Sequence, residues 1–470
     1  MTAKVVHHLN FMNNTKKEYK EIVISNGAEA FRNIIEKTGD KKEISRRLSI
    51  EHSLSQRALF WGEDNKILIT PYPIDPFFIE TNSTILKYKN VKNVFPKKIE
   101  ISLCGAIIND KSLFAEVISF INSNPNISIT SYAVTEEYLM LINKLRCLKL
   151  KFKVSELPRP ENIWTVQYLD SKSGFREQIY KIKCKEKRIN LPFGFICKNK
   201  SEAIHAGQWF LTRNKPCVLK SNFGESGWGL KILNKKNGKG YSDIELLDGI
   251  WDDTIIVVEE YIEANKLVAG GSPSIEVYVD DKGSIVTYLC GQIFDDLGSF
   301  IGVELGRDVI DRQTFQELKH LGGVVGNSYW EIGYRGYFDI DTIVSKKKRE
   351  IYLIETNTRR TGGTHVFDTA KRLLGNNWEK ERYLISNDQF VYGESILSPN
   401  ILIEKIQKII YPMVNHQTGV ILTLIDEKRP VIGFVIIGKN KVGCIKIYDE
   451  LKKLVSVQAI SHESIACSVT

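Results

Sequence analysis

Residues Ile332–His365 read IGYRGYFDIDTIVSKKKREIYLIETNTRRTGGTH. Two strand patterns stand out, Tyr337–Val344 and Glu350–Ile354, with the charged turn Ser345–Arg349 between them. The first carries Asp341 and the second runs into Glu355, Asn357 and Arg359 at alternate positions. Alternation in an extended chain places Glu355, Asn357 and Arg359 on one face, and Asp341 on the adjacent strand can reach it. Two carboxylates and an amide oxygen are hard ligands of the kind Mg²⁺ takes, usually with substrate phosphates completing its shell. A guanidinium beside them suits a phosphate or a carboxylate. Taken alone, the hairpin reads equally as a buried strand pair with solvated charged flanks.

The chain has 470 residues, 43% hydrophobic and 26% charged, which predicts a globular protein of two to four domains. No apolar run approaches the ~18 residues of a membrane helix, and the N-terminus lacks an apolar signal core. A cytoplasmic protein with no membrane partner is expected. Eight scattered cysteines form no CxxC pair and no metal-finger spacing with histidine, so reduced thiols are expected. The net charge of +9 is spread along the chain without a basic cluster interleaved with aromatics. This argues against nucleic acid and agrees with an anionic small substrate such as a nucleotide.

Strand patterns at Lys20–Ser25, Arg57–Trp61, Lys66–Thr70, Ile99–Leu103 and Ile127–Ala133 alternate with helix patterns at Ala28–Thr38, Ser112–Ser123 and Glu136–Leu145. That order predicts a mostly parallel sheet. No phosphate-binding glycine motif opens any of these helices. Leu157-Pro158-Arg159-Pro160 marks a boundary, and Asp170 or Ser171 caps the helix that follows it. Pro216–Lys220 is a strand that runs into Ser221-Asn222-Phe223-Gly224-Glu225-Ser226-Gly227-Trp228-Gly229. A glycine-rich turn between two strands brings backbone N–H groups close to phosphate oxygens, with Lys220 at its mouth. Ile255–Val258 ends in Glu259-Glu260-Tyr261-Ile262, a connector able to present backbone groups to an adenine edge. Glu276 lies inside a strand pattern, where a carboxylate needs solvent or a partner.

Lys172, Lys220, the loop Gly224–Gly229, Glu259-Glu260-Tyr261-Ile262, Asp341 and Glu355-x-Asn357-x-Arg359 occur in the order of the ATP-grasp superfamily, which the chain resembles over Glu161–Lys371. The layout further resembles pheganomycin-type peptide ligases. The resemblance implies an α/β chain, α+β in part: a pre-ATP-grasp domain over residues 1–160, an ATP-grasp domain over 161–383 and a small C-terminal α+β lobe over 384–470. It implies ATP and Mg²⁺, with Mn²⁺ as an alternative ion. The implied activity is an ADP-forming carboxylate–amine ligase that works through an acyl phosphate in peptide or amino-acid-derived metabolism, and it allows a homodimer. Nucleotide contacts fall on Lys172, Lys220, Ser226, Gly227, Gly229, Glu259, Glu260, Tyr261 and Ile262. Metal ligation falls on Asp341, Glu355 and Asn357, and Arg359 faces the transferring phosphate. D-alanine–D-alanine ligases carry an arginine two residues before the metal-binding aspartate, whereas Asp339 stands here. Arg335 and Arg307 are then the candidates for holding the substrate carboxylate. An ATP-grasp kinase and a non-catalytic nucleotide-binding protein are the rival readings. The glycine loop is the expected lid, and His365 either positions substrate or is structural.

Overall fold

The computed structural model describes residues 18–37, 40–99, 101–225, 228–234, 251, 255–414 and 416–456. Four short runs, β1 (Glu21–Ile24), β2 (Lys66–Ile69), β3 (Val91–Val94) and β4 (Ser128–Ser131), form a parallel sheet in the order β3-β2-β1-β4. Helices cover both faces of such a sheet, which is why a strand as apolar as Ile67-Leu68-Ile69 is buried on each side. Helix Lys111–Ser123 starts where the Asp110 side chain accepts from the Ser112 and Leu113 amides.

A second sheet takes β5 (Gly194–Cys197), β6 (Cys217–Glu225), β7 (Trp228–Leu233) and β8 (Ile256–Glu260) in the order β5-β8-β6-β7, all antiparallel. Gly229 sits at φ +78°, a conformation that explains a glycine at the start of β7.

The largest sheet has eight strands: β9 (Pro273–Asp280), β10 (Gly283–Phe294), β11 (Phe300–Gly306), β12 (Gly336–Val344), β13 (Ile351–Asn357), β14 (Tyr383–Val391), β15 (Gly419–Ile425) and β16 (Val431–Gly438). Their order is β13-β12-β9-β10-β11-β14-β16-β15. Helix Arg312–Glu331 lies on β9 and β10 despite its paired glycines. A Cβ on Gly322 would stand 2.7 Å from Ile275 Cγ2, so a larger residue would force the helix off the sheet. The segment after residue 383 continues this sheet, and its strands share a core with the N-terminal unit, in which Phe60 and Trp61 join Phe434 and Ile436.

Two expected strands are not strands. Ser55–Phe60 is a 3-10 helix, and Leu103–Asn109 is an α-helix capped by Ser102. Continuous burial of Ala58-Leu59-Phe60-Trp61 imitates an interior strand, and periodicity cannot separate the two in so short a run. Pro76 opens the helix Pro76–Leu86 behind the cap Asp75, because proline lacks only an amide that the first turn leaves unpaired. The helix Lys41–Leu54 and strands β3, β11 and β14 were not anticipated.

His365 lies in helix Thr364–Leu374 and is fully buried between Phe60 and Asp388. Asp388 Oδ1 is 3.5 Å from its Nε2, too poorly aligned for a hydrogen bond, and Arg57 Nη1 holds the other Asp388 oxygen at 2.9 Å. Burial outweighs the attraction of Asp388 and lowers the His365 pKa to about 4. The unfolded chain therefore binds a proton that the folded one refuses. Stability from this site is full above an unfolded pKa of ~6.5 and is lost as pH falls from there to about 4. His365→Gln should flatten the acid side of the unfolding free energy in that window, as read by urea titrations at several pH values. An unchanged slope would place the acid sensitivity elsewhere.

Candidate active site

The register of β12 and β13 sets Asp341 opposite Glu355 and Asp339 opposite Asn357. Alternation turns all four side chains to one face. An irregularity follows at once between Asp341 and Thr342, a device that re-aims side chains near functional sites. β9 widens the face, with Ser274 beside Asp341 and Glu276 beside Asp339. β10 then brings Tyr288 beside Glu276 and, further along, Gln292.

Hydrogen bonds knit this polar floor together. Asn357 Nδ2 donates to Asp339 Oδ1 at 2.8 Å and to Asp341 Oδ2 at 3.2 Å. Gln292 Nε2 donates to Asp341 Oδ1, and Ser274 Oγ to Asp339 Oδ2 at 3.3 Å. Glu276 is fully buried and takes hydroxyl donors from Thr364 at 2.6 Å, Tyr288 at 3.1 Å and Thr361 at 3.2 Å. Burial pushes its carboxyl up to about 7.

Cations close on the same floor. Ser171, not Asp170, caps helix Lys172–Lys183. That frees Asp170 to accept from the Thr358 amide at 2.9 Å and from Arg359 Nη1 at 3.3 Å. Lys172, in the first turn, extends its Nζ to 3.0 Å from Glu355 Oε2. Lys220, on β6, pairs with Glu259 and reaches the Ile354 carbonyl at 3.4 Å. Arg176 holds the other Glu259 oxygen at 2.7 Å. Arg359 also lies over the Phe31 ring, 4.8 Å from its centre, which ties the site to the N-terminal unit.

These charges split the two facing carboxylates. Burial acts to raise Glu355, but Lys172, Lys220 and Arg359 outweigh it and its pKa is lowered. Asp341 is raised well above its usual range, first by burial and then by Asp339 and Glu355. Lys172 is buried, yet Glu355 and Asp170 raise its pKa.

Among the described residues, no three His, Cys, Asp or Glu side chains form a ready metal cage. Mg²⁺ needs none, since it keeps waters and substrate phosphates and takes one or two carboxylates from the protein. Asp341, Glu355 and Asn357 offer hard oxygen ligands, and a cation there would relieve the repulsion that adds to burial in raising Asp341. The donor set therefore fits Mg²⁺.

Other expected residues fall as follows. Glu260 accepts from the Phe193 amide at 2.8 Å, the Tyr261 amide donates to the Pro216 carbonyl at 3.1 Å, and Ile262 lies two residues past the end of β8. Ser226 and Gly227, and with them the tip of the expected lid, lie outside the described residues. Arg335 is held by Asp281 at 3.0 Å and by the carbonyls of Trp330 and Tyr334. Arg307 is exposed and pairs with Asp308. The contacts of both arginines are thus with residues outside the carboxylate floor. Asp339, Glu276 and Gln292 belong to that floor but were not named as site residues. Asp339 and Glu276 had a signal, as carboxylates inside strands. Gln292 had none, because strand pairing alone brings it to Asp341 from 49 positions away.

No protein-family model matches the chain. A stretch of 187 residues is 22% identical to the [butirosin acyl-carrier protein]–L-glutamate ligase of Niallia circulans, covering 38% of this chain and 41% of that protein. The match thus spans about two fifths of that curated relative. Solved structures are similar over nearly the whole length. A biotin carboxylase from Campylobacter jejuni in a β-γ-ATP complex superposes with TM-score 0.55 at 15% identity, over 93% of this chain and 94% of that one. An N5-carboxyaminoimidazole synthase from Aspergillus clavatus, with ADP and 5-aminoimidazole ribonucleotide, gives TM-score 0.53 at 12% identity over 93% and 99%. At these identities the likeness is one of fold.

Proposed function

We propose that this chain, which has the ATP-grasp fold with an N-terminal α/β domain, is an ATP-dependent ligase that joins a carboxylate to an amine and releases ADP and phosphate. One observation carries the reading. Asp341, Glu355 and Asn357 share one sheet face that Lys172 and Lys220 approach from two other segments, with Arg359 just past the end of the same strand as Glu355 and Asn357. Such a set is suited to the terminal phosphates of a nucleotide rather than to a protein nucleophile. The relative from Niallia circulans is named as a ligase of an acyl-carrier protein and L-glutamate.

The chemistry follows from the groups. A carboxylate is a poor acyl donor because oxide would have to leave. Its oxygen attacks the γ-phosphorus of ATP, the bond to the β-phosphate oxygen breaks, and an acyl phosphate forms with ADP. The amine then attacks the acyl carbon, loses a proton, and phosphate departs. Phosphoryl transfer asks the protein mainly for position and charge. Lys172 and Lys220 would bind phosphate oxygens, and Arg359 would stabilise the transferring group or the tetrahedral species. Asp341, Glu355 and Asn357 would hold Mg²⁺, which neutralises phosphate charge when bound. Segment 161–383 would supply nucleotide and metal binding, with Glu259–Ile262 at the adenine.

The test is a trap. With acid and ATP present and amine absent, hydroxylamine should capture the acyl phosphate as a hydroxamate, with ADP and phosphate in the same tube. AMP and pyrophosphate there would rule out this mechanism. A stable phosphorylated acid with no amine-dependent product would instead favour a kinase. Lys220→Ala should weaken ATP binding about tenfold or more, since a charge-assisted hydrogen bond is worth ~1.5–3 kcal/mol. Glu259 keeps Arg176 as its partner in that variant, so folding should survive. A calorimetric affinity equal to wild type would remove Lys220 from the nucleotide site.

A further inference from the structure

We infer that Asp339 is a positioning residue that orients the Asn357 amide for metal binding, an inference that rests on the ligase reading above. The argument starts from the two ends of an amide. Its oxygen can ligate a hard cation, and its nitrogen cannot. Asn357 Nδ2 has two carboxylate acceptors, Asp339 Oδ1 at 2.8 Å and Asp341 Oδ2 at 3.2 Å. With both N–H bonds spent there, the covalent shape of the amide turns Oδ1 away from the two carboxylates.

Asp341 alone would hold the nitrogen by the longer bond. Asp339 supplies the shorter one and is itself fixed. It is 6% exposed, it lies directly across the strand ladder from Asn357, and Ser274 Oγ donates to its second oxygen at 3.3 Å. A turned amide would place its oxygen against two carboxylate oxygens and its N–H groups toward the cation. Asp339 therefore selects the ligating orientation without touching the ion. It also explains a carboxylate at a buried strand position already crowded by Asp341, Glu355 and Glu276.

Groups that support a metal ligand in this way typically contribute 10–100-fold in metal affinity. The test compares wild type with Asp339→Asn, which keeps an acceptor oxygen, and Asp339→Ala, which keeps none. Mn²⁺ is titrated by electron paramagnetic resonance with a saturating non-hydrolysable ATP analogue. Nucleotide affinity in EDTA serves as the structural control. Asp339→Ala should weaken Mn²⁺ about 10–100-fold while Asp339→Asn stays within a few-fold of wild type, with metal-free nucleotide affinity unchanged in both. If Asp339→Ala does not fold, Ser274→Ala is read in its place, with a smaller loss expected and wild-type affinity overturning the inference. Wild-type Mn²⁺ affinity in Asp339→Ala would overturn it too. So would equal losses in Asn and Ala, which would mean that charge and not orientation is at work. A wild-type protein with no nucleotide-dependent Mn²⁺ site would sink the ligase reading, and this inference with it.

Discussion

Glu355→Gln should abolish ADP release, by ~10²-fold or more, while the protein stays folded. The substitution keeps the shape and removes one negative charge. In the structure that charge faces Lys172 at 3.0 Å and lies within the influence of Lys220 and Arg359. Glutamine can no longer balance these cations, nor offer a charged oxygen to Mg²⁺ beside Asp341. Lys172 would then be buried without its carboxylate partner, so its own reach toward a phosphate changes as well. The Glu355 side chain is 23% exposed, and water can take up the amide, which is why the fold should tolerate it. Asp341→Asn should behave alike. Normal ADP release with unchanged Mg²⁺ dependence in either variant would remove that residue from the metal site. Thermal melts of the same samples separate lost chemistry from lost fold.

Arg360→Ala should be strongly destabilising, by about 3–5 kcal/mol, the usual cost of breaking a buried ion pair. Arg360 donates to both Glu156 oxygens, at 2.6 and 2.7 Å, and to the Ser131 carbonyl at 2.5 Å. Its guanidinium lies 4.6 Å from the centre of the Tyr337 ring. Arg360 is 5% exposed and Glu156 8%, so alanine would strand a carboxylate in the interior. The backbone beside it bridges the N-terminal unit at Ala133 through Arg359, so Arg359 should lose its seat and turnover should fall with stability. Urea unfolding reads the first effect. A loss below about 0.5 kcal/mol, the range of an ordinary surface change, would show that Arg360 is not a clamp.

The hairpin of β12 and β13 was legible from its alternation, and so were the oxygen ligands it aligns. A two-residue period fixes which side chains share a face whatever lies around them, so Asp341, Glu355 and Asn357 could be grouped before any fold was known. A helix cap was legible for a similar local reason, at Ser171, one of the two residues the sequence offered for it. Short buried runs were not. Arg57–Trp61 reads as a strand because its neighbours bury every residue in turn, and burial is set by distant chain. The same limit hid the role of the third carboxylate of the floor. Asp339 was visible as a carboxylate inside a strand, but its hold on Asn357 depends on a register between two strands. Gln292, Lys172 and Arg360 gain their roles from pairings across 49, 183 and 204 positions. Local pattern names the residues able to do chemistry. Long-range packing determines which of them meet, because only the folded chain sets the distances on which charge and hydrogen bonding depend.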